Sequence, residues 1–109
     1  DIARTARIAS LNDGLRRAPG PGWILSPGVA DLGLEFAVVA VEATGVFERF
    51  ASQGDPSGER AFGALLVLGR WVSWRIDYLR PDAAGASPDP ADNKLTRRVI
   101  TVTLVGEPA

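Results

Sequence analysis

The sequence predicts an α+β fold: a small antiparallel sheet, built from a hairpin and a C-terminal strand, with one or two helices packed on one face. Three observations carry that expectation. Apolar and polar residues alternate along Trp71 to Tyr78, a second alternation runs along Arg97 to Leu104, and residues 2 to 17 and 32 to 44 carry apolar positions at helical spacing. A chain of 109 residues, 46% of them hydrophobic, has material for one core and is too short for a second. Residues 1–109 are therefore read as a single domain.

The first helix is expected over residues 2 to 17, where Ile8, Leu11 and Leu15 form an apolar stripe and Arg4, Arg7, Asn12 and Arg16 lie elsewhere on the wheel. Gly14 weakens it by about 1 kcal/mol relative to alanine. Arg16 and Arg17 suit the negative end of the helix dipole, and Pro19-Gly20-Pro21-Gly22 stops the helix. Trp23 to Leu25 reads as a short extended segment, after which Ser26-Pro27-Gly28 turns the chain. Leu32, Phe36, Val39 and Ala43 predict a second helix over 32 to 44 ending before Gly45, although the β-branched run around Val38 to Val41 also suits a buried strand.

Val46 to Phe50 reads as a brief strand or as the helix exit, and Gln53 to Gly58 as a loop. The hairpin is expected from Phe62 to Leu68, through Gly69-Arg70 as a type II′ turn, and back along Trp71 to Tyr78. On the return strand Val72, Trp74, Ile76 and Tyr78 share one face, and Trp71, Ser73, Arg75 and Asp77 the other. The outgoing strand is apolar on both faces, which predicts a covered far side. Residues 80 to 95 are a loop rich in Pro, Asp, Ala and Gly, in which Asp89 can cap a helical turn started by Pro90. Gly106 to Ala109 reads as a tail.

Composition removes whole classes of function. The chain has no histidine and no cysteine, so thiolate chemistry, a disulfide scaffold, a zinc site and a Ser-His-Asp triad are out of reach. Acid–base work would fall to carboxylates or to Tyr78. A net charge of −1 argues against a general nucleic-acid binder. The longest apolar run, Phe36 to Val41, is too short to cross a bilayer, and no secretory leader pattern opens the chain. A cytoplasmic location without a membrane span or cofactor is the expectation.

Several blocks also carry a likeness. Arg7 to Asp13 with Leu15-Arg16, Asp55 to Glu59 with Phe62-Gly63, Trp74 to Tyr78, and Ser87 to Asp92 leading into Thr96 to Thr101 occur in the order found in a bacterial family catalogued as domain of unknown function 3768. The chain resembles a divergent member of it. The resemblance implies an origin mainly in alphaproteobacteria, often among plasmid and mobile-element genes, and implies no established activity. Members commonly carry His-Asp where this chain has Arg60-Ala61, a lysine at Arg75 and a second tyrosine at Leu79, so any capability resting on that His-Asp pair is expected to be lost here.

The candidate binding residues are Trp71, Arg75, Asp77, Glu59, Tyr78 and Arg97. Arg75 and Asp77 lie two apart on one strand face and can meet a ligand beside Glu59, or form a cross-strand ion pair in solvent. Trp71 either anchors an interface or packs under the first helix or the 80s loop. Asp82, Asp89, Asp92 and Asn93 offer oxygen ligands, but their spacing fits no calcium loop and turn formation explains them. Arg4, Arg7, Arg16, Arg17, Arg97 and Arg98 would make a basic patch if they converged.

The leading expectation is a non-enzymatic binding or inhibitory accessory protein acting through a protein–protein surface. It would take a protein partner or form a homodimer through the hairpin, and the mobile-element likeness adds a narrower version, an anti-CRISPR or anti-restriction factor. The alternatives are a hydrolase or transferase acting on a phosphorylated substrate through Glu59, Arg75, Asp77 and Tyr78, and a nucleic-acid-associated protein.

Overall fold

The computed structural model describes residues 1–108. The elements run α1 (Ile2–Arg16), β1 (Trp23–Leu25), α2 (Pro27–Asp31), α3 (Leu34–Gly45), α4 (Phe50–Gln53), β2 (Phe62–Val67), β3 (Arg70–Leu79) and β4 (Arg97–Leu104). The four strands form one sheet in the order β1-β4-β3-β2. The β2–β3 and β3–β4 pairs are antiparallel, as the alternations require. β1 adds a parallel strand beside β4, pairing Trp23 to Leu25 with Ile100 to Val102. The fold is thus α+β with a mostly antiparallel sheet.

Helices pack on one face only. Val29, Phe36, Ala40, Phe47 and Phe50 meet Val67, Val72, Trp74, Ile76, Ile100 and Val102 in one buried cluster. Phe47, Phe50 and Trp74 form its centre as edge-to-face rings with centroids 5.0–6.0 Å apart. The segment with two readings is helical: α3 buries Phe36, Ala40 and Thr44 at four-residue spacing.

Five local expectations need correction. The hairpin turn is shifted by one residue: Val67 pairs with Arg70, leaving Leu68 and Gly69 as the loop, both at positive φ (46° and 81°). That is a type I′ turn with glycine second, the hand that matches strand twist. Ser26-Pro27 does not merely turn the chain; the Ser26 hydroxyl accepts from the Val29 N–H and caps α2, with Pro27 in its first turn. The segment after α3 takes the second of its two readings, with Val46 as the helix exit, but an unforeseen short helix, α4, then follows from Phe50. Gly106 to Pro108 is not a loose tail, and Ala109 lies outside the described residues. Glu107 accepts from the Ser26 hydroxyl (2.7 Å), the Gly28 N–H (2.8 Å) and the Leu104 N–H (3.0 Å), and these bonds, Ser26 foremost, hold its carboxyl below the usual range.

The fifth correction concerns α1. Asn12 and Arg16 do not lie on a solvent face; with Ile8 they form its buried stripe, one turn apart. Arg16 is fully buried. Its guanidinium donates to the carbonyls of Thr44, Gly45 and Phe47 and to the Asp13 carboxylate, and stacks over the rings of Phe50 and Trp74. The charge serves the carbonyl end of α3 rather than that of its own helix.

Candidate functional site

The sheet divides the expected site residues between its two faces. Alternation fixes which goes where, because Val72, Trp74 and Ile76 point into the core. Tyr78 follows them inward, together with Arg98 opposite it on β4. Trp71, Arg75 and Asp77 point outward, and Arg97 joins them on β4. The foursome of Glu59, Arg75, Asp77 and Tyr78 required by the hydrolase reading therefore does not converge.

On the inner side, residues from distant blocks meet in a polar clasp. The Tyr78 hydroxyl donates to Glu59 Oε1 (2.7 Å) and accepts from Asn12 Nδ2 (2.8 Å). Asn12 Nδ2 also donates to the Glu59 carbonyl, and Asn12 Oδ1 accepts from Arg98 Nε (3.0 Å). Arg98 spends its remaining donors on Asn93 and the Pro90 carbonyl, and lies over the Tyr78 ring. Arg7 and Arg4 tie the same loop to α1 through Ala91 and Asp89. Every polar atom of Asn12 has a partner inside the fold, so the clasp reads as a device that docks α1 and the 87–96 loop onto the sheet.

Burial pushes the Tyr78 phenol well above its ordinary value of 10.0, with the neighbouring Glu59 carboxylate acting in the same direction. Burial likewise lowers the Arg98 guanidinium. The folded state favours the neutral phenol, so the unfolded chain ionises first as pH rises past its own value. Stability is full below about pH 10 and falls above it. Tyr78 is the only tyrosine in the chain, which makes the test direct. Tyrosinate absorbance is expected to rise together with loss of helical circular dichroism, and a phenol that titrates normally in the folded protein would refute the clasp.

The outer side is different in kind. Phe62 (44% exposed), Leu66 (58%), Trp71 (54%) and Ile24 (51%) stand on this face of the sheet. Leu66 lies directly opposite Trp71, and Phe62 opposite Arg75, which in turn faces Thr101 of β4 and, beyond it, Ile24 of β1. Val99 is a buried exception. The apolar far side of β2, expected to be covered, is open. Trp71 packs beneath neither α1 nor the 80s loop. Arg75 and Asp77 pair with each other along the strand at 3.2 Å rather than across strands, Arg75 largely and Asp77 about half exposed, where such a pair adds little to stability.

The other expected clusters dissolve into local roles. Asp82, Asp89 and Asp92 each accept from a backbone N–H two residues on, as turn residues do. Among the described residues no three acidic side chains gather as a metal site. The arginines do not form a free basic patch: Arg16 is buried, Arg4 pairs with Asp89, Arg17 with Glu48, and Arg98 sits in the clasp. Sequence reasoning also missed Arg60, whose guanidinium pairs with Asp13 (3.2 Å) and Glu48 (2.5 Å) over the Phe50 ring. Its backbone sits at φ 56°, a conformation that no local sequence signal announces.

The model of the family described as Protein of unknown function (DUF3768) matches residues 25–107. The chain belongs to that family. No curated protein and no solved structure matches it. The DUF3768 range holds β2, β3 and β4 entire, and with them Glu59, Tyr78, Arg98 and most of the open face. It begins after α1, so Asn12, Asp13 and Arg16 lie outside it even though they complete the clasp and the core. No helix among the described residues is long and apolar enough to cross a membrane.

Proposed function

We propose that this DUF3768 chain is a protein-binding module whose working surface is the open face of the sheet. One observation carries the reading: all the packed helices lie on the opposite face, while Leu66 and Trp71 stand adjacent and exposed, with exposed Phe62 further along β2, beside Arg75, Asp77 and Arg97. Adjacent exposed apolar side chains with a polar rim are what interaction sites present. Tryptophan and arginine are the residue types that most often dominate binding energy. The narrower version, in which the bound protein is a defence enzyme that the contact inhibits, uses the same face and is decided by the partner's identity.

The test is a photoreactive phenylalanine derivative placed at Trp71, used in the cell of origin. A matched probe at Val46, exposed on the helical side, is the control. The expected result is one dominant crosslinked protein from position 71 and none from position 46. Equal labelling from both positions would overturn the proposal. With the partner in hand, Trp71→Ser is expected to weaken binding at least tenfold, about 1.4 kcal/mol. The same change leaves folding stability within about 0.5 kcal/mol, since the indole contributes little to the core.

A further inference from the structure

β2 is an edge strand, and its ladder with β3 shows which of its backbone groups are spoken for. The Ile76 N–H donates to the Ala61 carbonyl, so residues 61, 63, 65 and 67 hold the hydrogen-bonded positions of the ladder. The N–H and C=O groups of Phe62, Ala64 and Leu66 consequently point away from β3, to the free edge. Among the described residues, only the central one of the three is occupied. The Gln53 carboxamide accepts from the Ala64 N–H at 2.9 Å and donates to the Ala64 carbonyl at 2.6 Å. A side chain here makes the two bonds that a residue of a neighbouring strand would make.

Gln53 is the last residue of α4, and Gly54 follows it at positive φ. The other end of α4 is fixed by Phe50, buried in the aromatic cluster beneath the guanidiniums of Arg16 and Arg60. The plug can therefore leave the edge while its anchor stays in place. The strand it guards, Phe62-Gly63-Ala64-Leu65-Leu66-Val67, carries no charge and no proline, the features that ordinarily protect an edge from pairing.

We infer that Gln53 is a removable plug on the β2 edge, and that the unplugged edge takes β2 of a second copy of this chain. The sequence is self-complementary for that pairing. With a two-fold axis at Ala64, antiparallel strands set Ala64 against its copy and each Phe62 against the other copy's Leu66. All three outward-facing backbone pairs are then used, and the open faces of the two copies join into one. The edge is distinct from the open face, and either surface can work without the other.

Gln53→Ala tests this on the full chain, because Gln53 is exposed and contributes nothing to the core. Sedimentation is expected to show a doubling of mass, with self-association at least tenfold tighter than in the wild type. Hydrogen exchange locates the contact: in the wild type the Ala64 amide is slow and those of Phe62 and Leu66 are fast, whereas in the Gln53→Ala dimer all three are slow. Adding Leu66→Lys restores the monomer. A Gln53→Ala protein that stays monomeric, one that forms polymers, or a dimer whose Phe62 and Leu66 amides remain fast would each overturn the proposal, as would a fast Ala64 amide in the wild type.

Discussion

Replacing Arg16 with alanine is expected to cost on the order of 4 kcal/mol of folding stability, lowering the melting temperature of a chain this size by roughly 15–30 °C. Two losses combine. Truncation leaves a cavity beside the rings of Phe50 and Trp74, whose centroids the guanidinium carbon now approaches to 5.3 Å. It also removes the guanidinium donor from the Gly45 and Phe47 carbonyls and from that of Thr44, which keeps only the Phe47 N–H, where α3 ends in the interior. Arg16→Lys is expected to recover less than half of the loss, since one ammonium cannot serve three carbonyls and Asp13 while covering two rings. Thermal unfolding of the three proteins decides it. An Arg16→Ala protein within 1 kcal/mol of wild type would show that the buried charge is incidental.

Arg16 also marks where the sequence stops being legible. Helical spacing locates α1, yet Ile8-Leu11-Leu15 and Ile8-Asn12-Arg16 are equally good stripes, and hydrophobicity favours the first. The second is the fully buried one because its polar atoms find partners on elements far away in the chain: Tyr78, Arg98 and the carbonyls after α3. No local pattern records such partners. The same reason hid the pairing of β1: Trp23 to Leu25 reads as extended in the sequence, but it joins the sheet only because β4 lies beside it, some 77 positions further on. Alternation, by contrast, is a local property with a period of two, so it placed β3 and β4 and assigned Trp71, Arg75 and Asp77 to a common face. It could not say that β2's far side is bare, since an apolar residue looks the same whether covered or waiting to be.

That bareness yields the second large effect, at neighbouring positions of one strand. Gly63 faces the core, and a Cβ built there would lie 2.7 Å from two Phe47 ring carbons and 2.8 Å from Trp74 Nε1. Phe47 cannot retreat, being locked edge-on against both Phe50 and Trp74. Gly63→Val is expected to cost about 3 kcal/mol, a fall in melting temperature of roughly 10–20 °C. Ala64 points the other way, toward the open face, so Ala64→Val should stay within about 0.5 kcal/mol of wild type, with β-branched propensity in its favour. The contrast isolates the asymmetry of the sheet from the properties of valine. Equal damage at both positions would mean that something covers the outer face, and the binding surface assigned to Trp71 would be lost with it.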